Sequence, residues 1–489
     1  MSLIPLLLLL FLPIITLYFL LPTKRPRNLP PGPFAWPVIG TILSKMKKQP
    51  HAELARLARI HGPLMLLYHG LEPVIVASTA TAASEVLKSQ DRALSARFAP
   101  NSVRLPGYIE HSMVWADCTD YWKSVRKIWR VELFSNRMLD LQARVREAKA
   151  HELVRFLRAR EGQEVTLADV VFGSILNVLG MIVFSKDVFD LEGKAAENDM
   201  GMKGMIRQLM VLAAIPNLAD LYPFLGRLDL QGLRRASGEC VKRMNGSWAA
   251  VVKARRASGG GGDENDFLKV LIDEGFSDPQ IDAMLLEIFG PGSDTSTSTI
   301  EWAVAELLRN PKKLAKVREE LDSVIGQSGT PIKESDLPNL PYLHACVKET
   351  LRLHPPVTFL LPHRASEPCE VMGYTIPKDC QLMVNTYAIG RDPATWTEPE
   401  KFEPERFVGS EVDYQGNDFQ YIPFGAGRRI CPGMSLASRV VRLFLASLVH
   451  GFDLGLPNGM KADEMDMTDR FGLALLKDVP LVVVPKVRA

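Results

Sequence analysis

Residues 424–433 read Phe424-Gly425-Ala426-Gly427-Arg428-Arg429-Ile430-Cys431-Pro432-Gly433, one cysteine in a glycine-rich, doubly basic loop. The loop opens onto a helical pattern over Met434 to His450. A thiolate is the metal-binding form of cysteine, and nearby cations and the positive end of a helix both favour it. Gly425, Gly427 and Gly433 are expected to let the backbone turn sharply and bring its N–H groups close to the sulfur. Such a loop suits an axial thiolate on haem iron, a ligand that pushes electron density towards O–O cleavage. An isolated C-x-G is more often a buried, inert cysteine. The full pattern F-x-x-G-x-R-x-C-x-G carries the ligand reading.

Three further groups bear on chemistry. Gly290-Pro291-Gly292-Ser293-Asp294-Thr295-Ser296 sits inside an expected helix over Asp282 to Arg309. A threonine hydroxyl beside an acid, near a locally opened helix that admits water, can relay protons. The other possibility for Thr295 is a bond back to a carbonyl one turn earlier, and both can hold. Pro291 has no N–H, and its ring meets the carbonyl of Glu287 at a cost of about 3 kcal/mol in a helix interior. It either enlarges a kink there or is tolerated in a segment already opened by Gly290 and Gly292. Trp122 and Arg126 are four apart on a helical pattern, an indole N–H and a guanidinium on one surface, suited to anionic carboxylates. Glu349 and Arg352 share a helix face, a pairing that in isolation is usually a solvated pair.

These motifs, in this order and spacing, resemble those of the cytochrome P450 superfamily across nearly the whole chain. The resemblance implies a mostly α fold with small β-sheets and haem b held by Cys431, within a loop that includes Phe424, Gly427 and Gly433. It implies that Trp122, Arg126, Arg429 and His363 face the haem propionates, that Thr295 binds oxygen and donates protons, and that Asp294 recharges that relay. It also implies a Glu349–Arg352–Arg406 cluster that braces the cysteine loop. Val114 to Thr119, Glu132-Leu133-Phe134, Pro338 to Leu343, Phe419 to Phe424 and Asp469 to Leu473 are similar to the plant enzymes of benzylisoquinoline alkaloid biosynthesis. In that branch some members hydroxylate an aromatic ring of N-methylcoclaurine-like substrates and others join two phenol rings. Pro291-Gly292 resembles the phenol couplers, where hydroxylating members look like Ala-Gly. By position, the ligand pocket should draw on residues 101–112, 209–215, 286–289, 357–361 and 471–473, including Phe289, Phe359, Leu360 and Phe471. Glu110 could pair with a protonated amine, or be an ordinary solvated carboxylate. A haem-thiolate isomerase and a haem-binding sensor without turnover are the rival classes, and Asp294-Thr295 argues against the first.

The elements that must position these residues read as mostly helical. His51 to His61, Thr79 to Gln90, Asp120 to Phe134, Arg137 to Arg160, Asp282 to Arg309 and Pro311 to Ile325 carry helical periodicity. Leu64 to Tyr68, Val74 to Ala77, Gln381 to Asn385 and Leu481 to Val484 read as strands. Gly259 to Gly262 and the polar residues after it read as an exposed connector. The near balance of 58 basic and 56 acidic residues argues against nucleic-acid binding. Six cysteines without a C-x-x-C pair suit a reducing compartment. Leu3 to Leu21 is uncharged and long enough to cross a bilayer, and Lys24, Arg25 and Arg27 after it hold the downstream chain in the cytosol. A cleaved signal peptide is the rival reading, but it lacks basic residues before the apolar core. The expected organisation is an anchor over 1–22 in the endoplasmic reticulum membrane, a basic, proline-rich hinge over 23–33 and one catalytic unit over 34–489. No glycine fingerprint for flavin or nicotinamide follows a strand, so electrons must come from elsewhere, and the resemblance implies NADPH and a partner, NADPH–cytochrome P450 reductase. Lys123, Lys127, Arg130 and Arg428 are the cations that could dock it.

Overall fold

The computed structural model describes residues 28–41, 49–191, 201–257, 266–327 and 329–488. The expected membrane anchor, most of the basic hinge and the Gly259 to Gly262 connector lie outside the described residues. Among the described residues helices dominate, with four small sheets. The long helix, Asp278–Arg309, has 32 residues and is buried along most of its length. It starts where the Gln280 side chain accepts the Ser277 N–H at 2.9 Å, half of a capping box. Packed against it lies Leu167–Phe184, apolar all round with a mean hydropathy of 2.1. That helix is long and apolar enough to cross a membrane, yet 83% of it is buried inside the protein, the signature of a core helix.

Several boundaries differ from the sequence reading. The pattern over Thr79 to Gln90 divides into an α segment, Ala80–Ser84, and a π turn, Glu85–Ser89. Asp120–Ile128, capped by the Thr119 hydroxyl on the Trp122 N–H at 3.1 Å, likewise passes into a π turn at Trp129–Leu133. The helix expected over Arg137 to Arg160 breaks at Gln142 into Asn136–Leu141 and Ala143–Arg158. Side-chain periodicity barely registers such one-residue insertions, because the same face stays buried on either side.

The five-stranded sheet runs Leu64–His69, Glu72–Ala77, Gln381–Val384, His363–Arg364, Ala96–Arg97. Its last two strands are antiparallel and place Arg97 directly opposite His363. Directly opposed residues project to one face of a sheet, so a guanidinium and an imidazole arrive together at the cavity described next.

Candidate active site

Cys431 lies between the short turn Gly427–Arg429 and the helix Met434–Gly451. Its N–H donates to the Phe424 carbonyl at 2.9 Å and closes the loop. The sulfur accepts from the N–H groups of Gly433 and Met434, the unsatisfied donors at a helix start. Gly425 and Gly427 have φ of 72° and 65°. A Cβ on Gly427 would lie 2.2 Å from the Leu87 carbonyl oxygen, so no larger residue fits there. Gly433 corrects half of the expectation: its N–H does reach the sulfur, but its φ of −85° is open to any residue. Burial pushes the Cys431 thiol up, opposed by those N–H groups and by Arg126.

The cysteine opens into a cavity of about 260 Å³, with the loop and Phe424 below it and the long helix above. Three guanidiniums, Arg97, Arg126 and Arg429, line the cavity. Among the described residues they donate only to carbonyls: Arg97 to Leu361 at 2.6 Å, Arg126 to Ile430, and Arg429 to Ser95 at 2.8 Å and Ala116 at 2.6 Å. Arg97 Nε and Arg429 Nη1 are buried with no hydrogen-bond partner among the described residues. Burial, then the nearby Arg429 and Arg126, push Arg97 well below its ordinary value. His363 also lines the cavity, its Nδ1 2.7 Å from the Leu94 carbonyl, and burial lowers it to about 3, so it is neutral.

Trp122 corrects its expected role. Its indole N–H donates to the Met113 carbonyl at 2.9 Å, and the ring carries the Arg429 guanidinium 4.6 Å above its centroid. It positions a cation instead of meeting an anion itself. Arg97, which sequence reasoning missed, supplies the further donor. The available signal was a lone arginine in the small and apolar run Ala93 to Ala99.

The donor set fits a haem. Among the described residues no group of three His, Cys, Asp or Glu could hold a metal ion, so a metal on Cys431 must bring its other ligands with it, as iron in a porphyrin does. The orphaned guanidinium N–H groups in turn fit two propionates, which prefer forked, charged donors.

On the roof, Pro291, Gly292, Thr295, Ser296 and Thr299 line the cavity at three- to four-residue spacing. The helix runs unbroken through Gly290-Pro291-Gly292, so the expected opening does not interrupt it. Hydroxyls bond back throughout: Ser293 to the Phe289 carbonyl at 2.7 Å, Thr295 to Pro291 at 2.8 Å, Thr299 to Thr295 at 2.9 Å. Thr295 therefore does what the second possibility foresaw while still facing the cavity. Asp294, one residue and about 100° round the helix, is not in the lining and feels Arg207 and Arg470. Burial pushes its carboxyl up.

A second, apolar cavity of about 100 Å³ adjoins the first. Val114, Glu287, Pro291, Thr295, Val357 and Leu361 line both. Each of the five stretches expected to form the pocket contributes, through Leu105, Met210, Leu286, Val357 and Leu473 among others. The individual side chains differ. Leu360 lines the first cavity, but Phe289 points into the core, stacked on Phe184 at 5.6 Å, because it lies on the opposite helix face from Pro291 and Thr295. Phe359 and Phe471 pack on each other at 5.7 Å beside the five-stranded sheet and line neither cavity. Glu110 is exposed and accepts the Gly107 N–H at 2.9 Å, the solvated reading. The buried carboxylate of the site is Glu287, which sequence reasoning treated only as the residue a turn before Pro291.

Behind the loop, Glu349 takes Arg352 in a forked pair at 2.7 and 2.8 Å and Arg406 at 3.2 Å. Arg352 also donates to the carbonyls of Gly390, Pro399 and Lys401, tying the segment before the cysteine loop to the Pro341–Leu353 helix.

A thiol below, unmatched cations at the rim and a hydroxyl-rich helix above define a haem-thiolate oxidase site. The family model for cytochrome P450 matches residues 30–482, and the chain belongs to that family. It is an oxidoreductase of the monooxygenase type. It is 51% identical over 481 residues to corytuberine synthase of Coptis japonica, covering 98% of each chain. It is 48% identical over 475 residues to (S)-N-methylcoclaurine 3'-hydroxylase isozyme 1 of Eschscholzia californica, covering 96% of this chain and 97% of the other. It is 47% identical over 475 residues to berbamunine synthase of Berberis stolonifera, covering 96% and 97%. The expected likeness to the benzylisoquinoline-alkaloid branch is borne out.

Proposed function

We propose that the protein joins two phenol rings of a benzylisoquinoline alkaloid through a C–C bond, giving an aporphine or proaporphine in the manner of a corytuberine synthase. The observation that carries this reading is the pair of joined chambers with Pro291 in their common wall. Two connected apolar seats suit two ring systems held towards each other, and such orientation supplies large effective molarity. Pro291-Gly292, the pair that resembles the phenol couplers, stands at that junction.

Haem b would be held by Cys431 and by Arg97, Arg126 and Arg429, and would supply O2 activation and phenol oxidation. Thr295, facing the cavity, would hold a proton on Oγ1, and Asp294, one residue earlier, would exchange protons with the surroundings. The phenols lose two hydrogens, and with O2, two electrons from NADPH and two protons these leave as two waters. The electrons enter through NADPH–cytochrome P450 reductase at the exposed face of Lys123, Lys127, Arg130 and Arg428. The salt bridges from Lys123 to Asp120 at 2.8 Å and from Arg428 to Asp91 at 3.0 Å leave that face with surplus positive charge. Residues 1–22 would anchor the chain in the endoplasmic reticulum membrane, with 23–33 as the hinge and 34–489 as the cytosolic catalytic unit.

Incubation of the membrane-bound enzyme with its reductase, NADPH and either reticuline or N-methylcoclaurine tests the reading by product mass. Loss of two hydrogens is expected. An exclusively hydroxylated product, heavier by one oxygen, overturns coupling and leaves the ring-hydroxylating alternative. Pro291→Ala is expected to move product from coupled towards hydroxylated.

A further inference from the structure

Glu287 is only 5% exposed, and its carboxylate stands in the wall shared by the two chambers. It accepts from four groups of one segment: the Tyr108 hydroxyl at 3.1 Å, the Ser112 hydroxyl, the Met113 N–H at 2.8 Å and the Val114 N–H at 3.2 Å. All four donors are neutral. No described Lys, Arg or His forms an ion pair with it, and apart from Tyr108 and Thr295 the side chains that share the second chamber with it are apolar. Helix Leu233–Ala257 offers Val241 and Met244 to the chamber, and helix Gly201–Ala214 offers Ile206, Leu209 and Met210. The titratable groups that feel Glu287 are Tyr108 and Tyr121.

A carboxylate taken out of water without a cation is expensive, and hydrogen bonds from neutral donors offset only part of that. The chain instead pushes the group up to about 7, chiefly by burial. Where a charge with no partner of opposite sign faces a ligand chamber, the ligand is the place to look for that partner. A 1-benzyltetrahydroisoquinoline carries one basic nitrogen in its saturated ring, next to the carbon that bears the benzyl group, and Glu287 stands in the wall shared by the two seats.

We infer that Glu287 is the recognition site for a protonated amine, pairing with the ligand's ammonium at the junction of the chambers and so setting which ring faces Cys431. This rests on the alkaloid reading above and adds a positioning residue to it. The same carboxylate fastens residues 108–114 to the long helix, so the ligand's charge also stabilises that fastening.

The test compares a basic 1-benzyltetrahydroisoquinoline with its neutral N-acyl counterpart, by calorimetry and by the ligand-induced change in the haem spectrum of the holoenzyme. Wild type is expected to prefer the amine. Glu287→Gln should weaken the amine about thirtyfold or more, leave the N-acyl compound nearly unchanged, and Glu287→Asp should restore part of the preference. Equal weakening of both ligands, or an unchanged preference in Glu287→Gln, would mean that the carboxylate only braces its loop and overturns the inference. Should Glu287→Gln fail to fold, wild type alone decides. A permanently charged N,N-dimethyl analogue must then bind about as well as the amine, with the N-acyl compound far weaker, and equal binding of all three overturns the proposal. Turnover separates the two claims. Coupled product without a Glu287-dependent amine preference keeps the function and discards this residue's role. Amine preference without coupled product does the reverse.

Discussion

The brace behind the cysteine loop and the chamber in front of it treat buried charge in opposite ways. Glu349, fully buried, is met by two arginines, and Arg352 spends its remaining N–H groups on three backbone carbonyls. Around the chamber Arg97, Arg126 and Arg429 have no carboxylate, while Glu287 has no cation among the described residues. Nor do these opposite charges neutralise one another. The three arginines donate to carbonyls of Leu361, Ile430, Ser95 and Ala116, and Glu287 is fastened to residues 108–114. Charges that serve folding are matched within the chain, and charges that serve binding are left for another molecule to match. Stability is thereby given up at the site.

The largest test of the contrast removes its centre. Cys431→Ser is expected to abolish the reduced, carbon-monoxide-bound spectrum of thiolate-ligated iron and with it all turnover. Retention of that spectrum would end the haem-thiolate assignment. Next comes the matched region. Glu349→Gln leaves Arg352 and Arg406 buried without their counter-charge and should cost about 3–5 kcal/mol, the usual result of breaking a buried pair from one side. Denaturant unfolding and haem content should fall together. A loss below about 1 kcal/mol would mean that the carbonyls, not the carboxylate, hold Arg352.

The unmatched carboxylate gives a pH dependence of definite sign. Glu287 is pushed up to about 7 in the folded apoprotein, against roughly 4.3 in an unfolded chain. Between those values the folded state holds the extra proton. The group's contribution is therefore fully present below about pH 4 and is lost as pH rises through about 7. The difference in unfolding free energy between wild type and Glu287→Gln should drift against wild type by on the order of 3–4 kcal/mol across that window. A saturating basic ligand should reverse the drift, because its ammonium favours the ionised carboxylate. A flat difference would place Glu287 in contact with a cation or with water.

Much of this was legible in the residues and some was not. The cysteine loop and the Glu349-x-x-Arg352 pair announce themselves because their chemistry needs particular types at fixed spacing along a continuous segment. Thr295 was assignable for the same reason. Arg97 was not, because its function arises from a two-residue strand laid opposite His363, a pairing across more than half the chain that no local pattern encodes. Phe289, Phe359 and Phe471 were placed in the pocket from the right segments but on the wrong faces. A segment's nearness to the haem follows from chain order, whereas the direction of one side chain turns by about 100° with each helical residue. Glu110 and Glu287 exchanged roles because an acid in an exposed loop and an acid in an apolar helix look equally isolated in a sequence. Only the second is deprived of water.

The smallest effect is also the sharpest discriminator, because it should change sign with occupancy. Arg97→Met replaces one of three crowded guanidiniums by an apolar chain of similar length. In the apoprotein it relieves burial of a cation that Arg429 and Arg126 already disfavour. It also deletes a buried Nε without a partner. Such replacements are commonly neutral or stabilising by about 1 kcal/mol or more. In the holoprotein the same change removes a propionate's forked donor, so haem should transfer to an acceptor protein several times faster than from wild type. Unfolding curves of the apoprotein and haem-transfer rates of the holoprotein read the two halves separately. If Arg97→Met destabilised both forms, the Leu361 carbonyl bond would outweigh the crowding. Arg97 would then belong with Glu349 and Arg352, among the groups that build the fold.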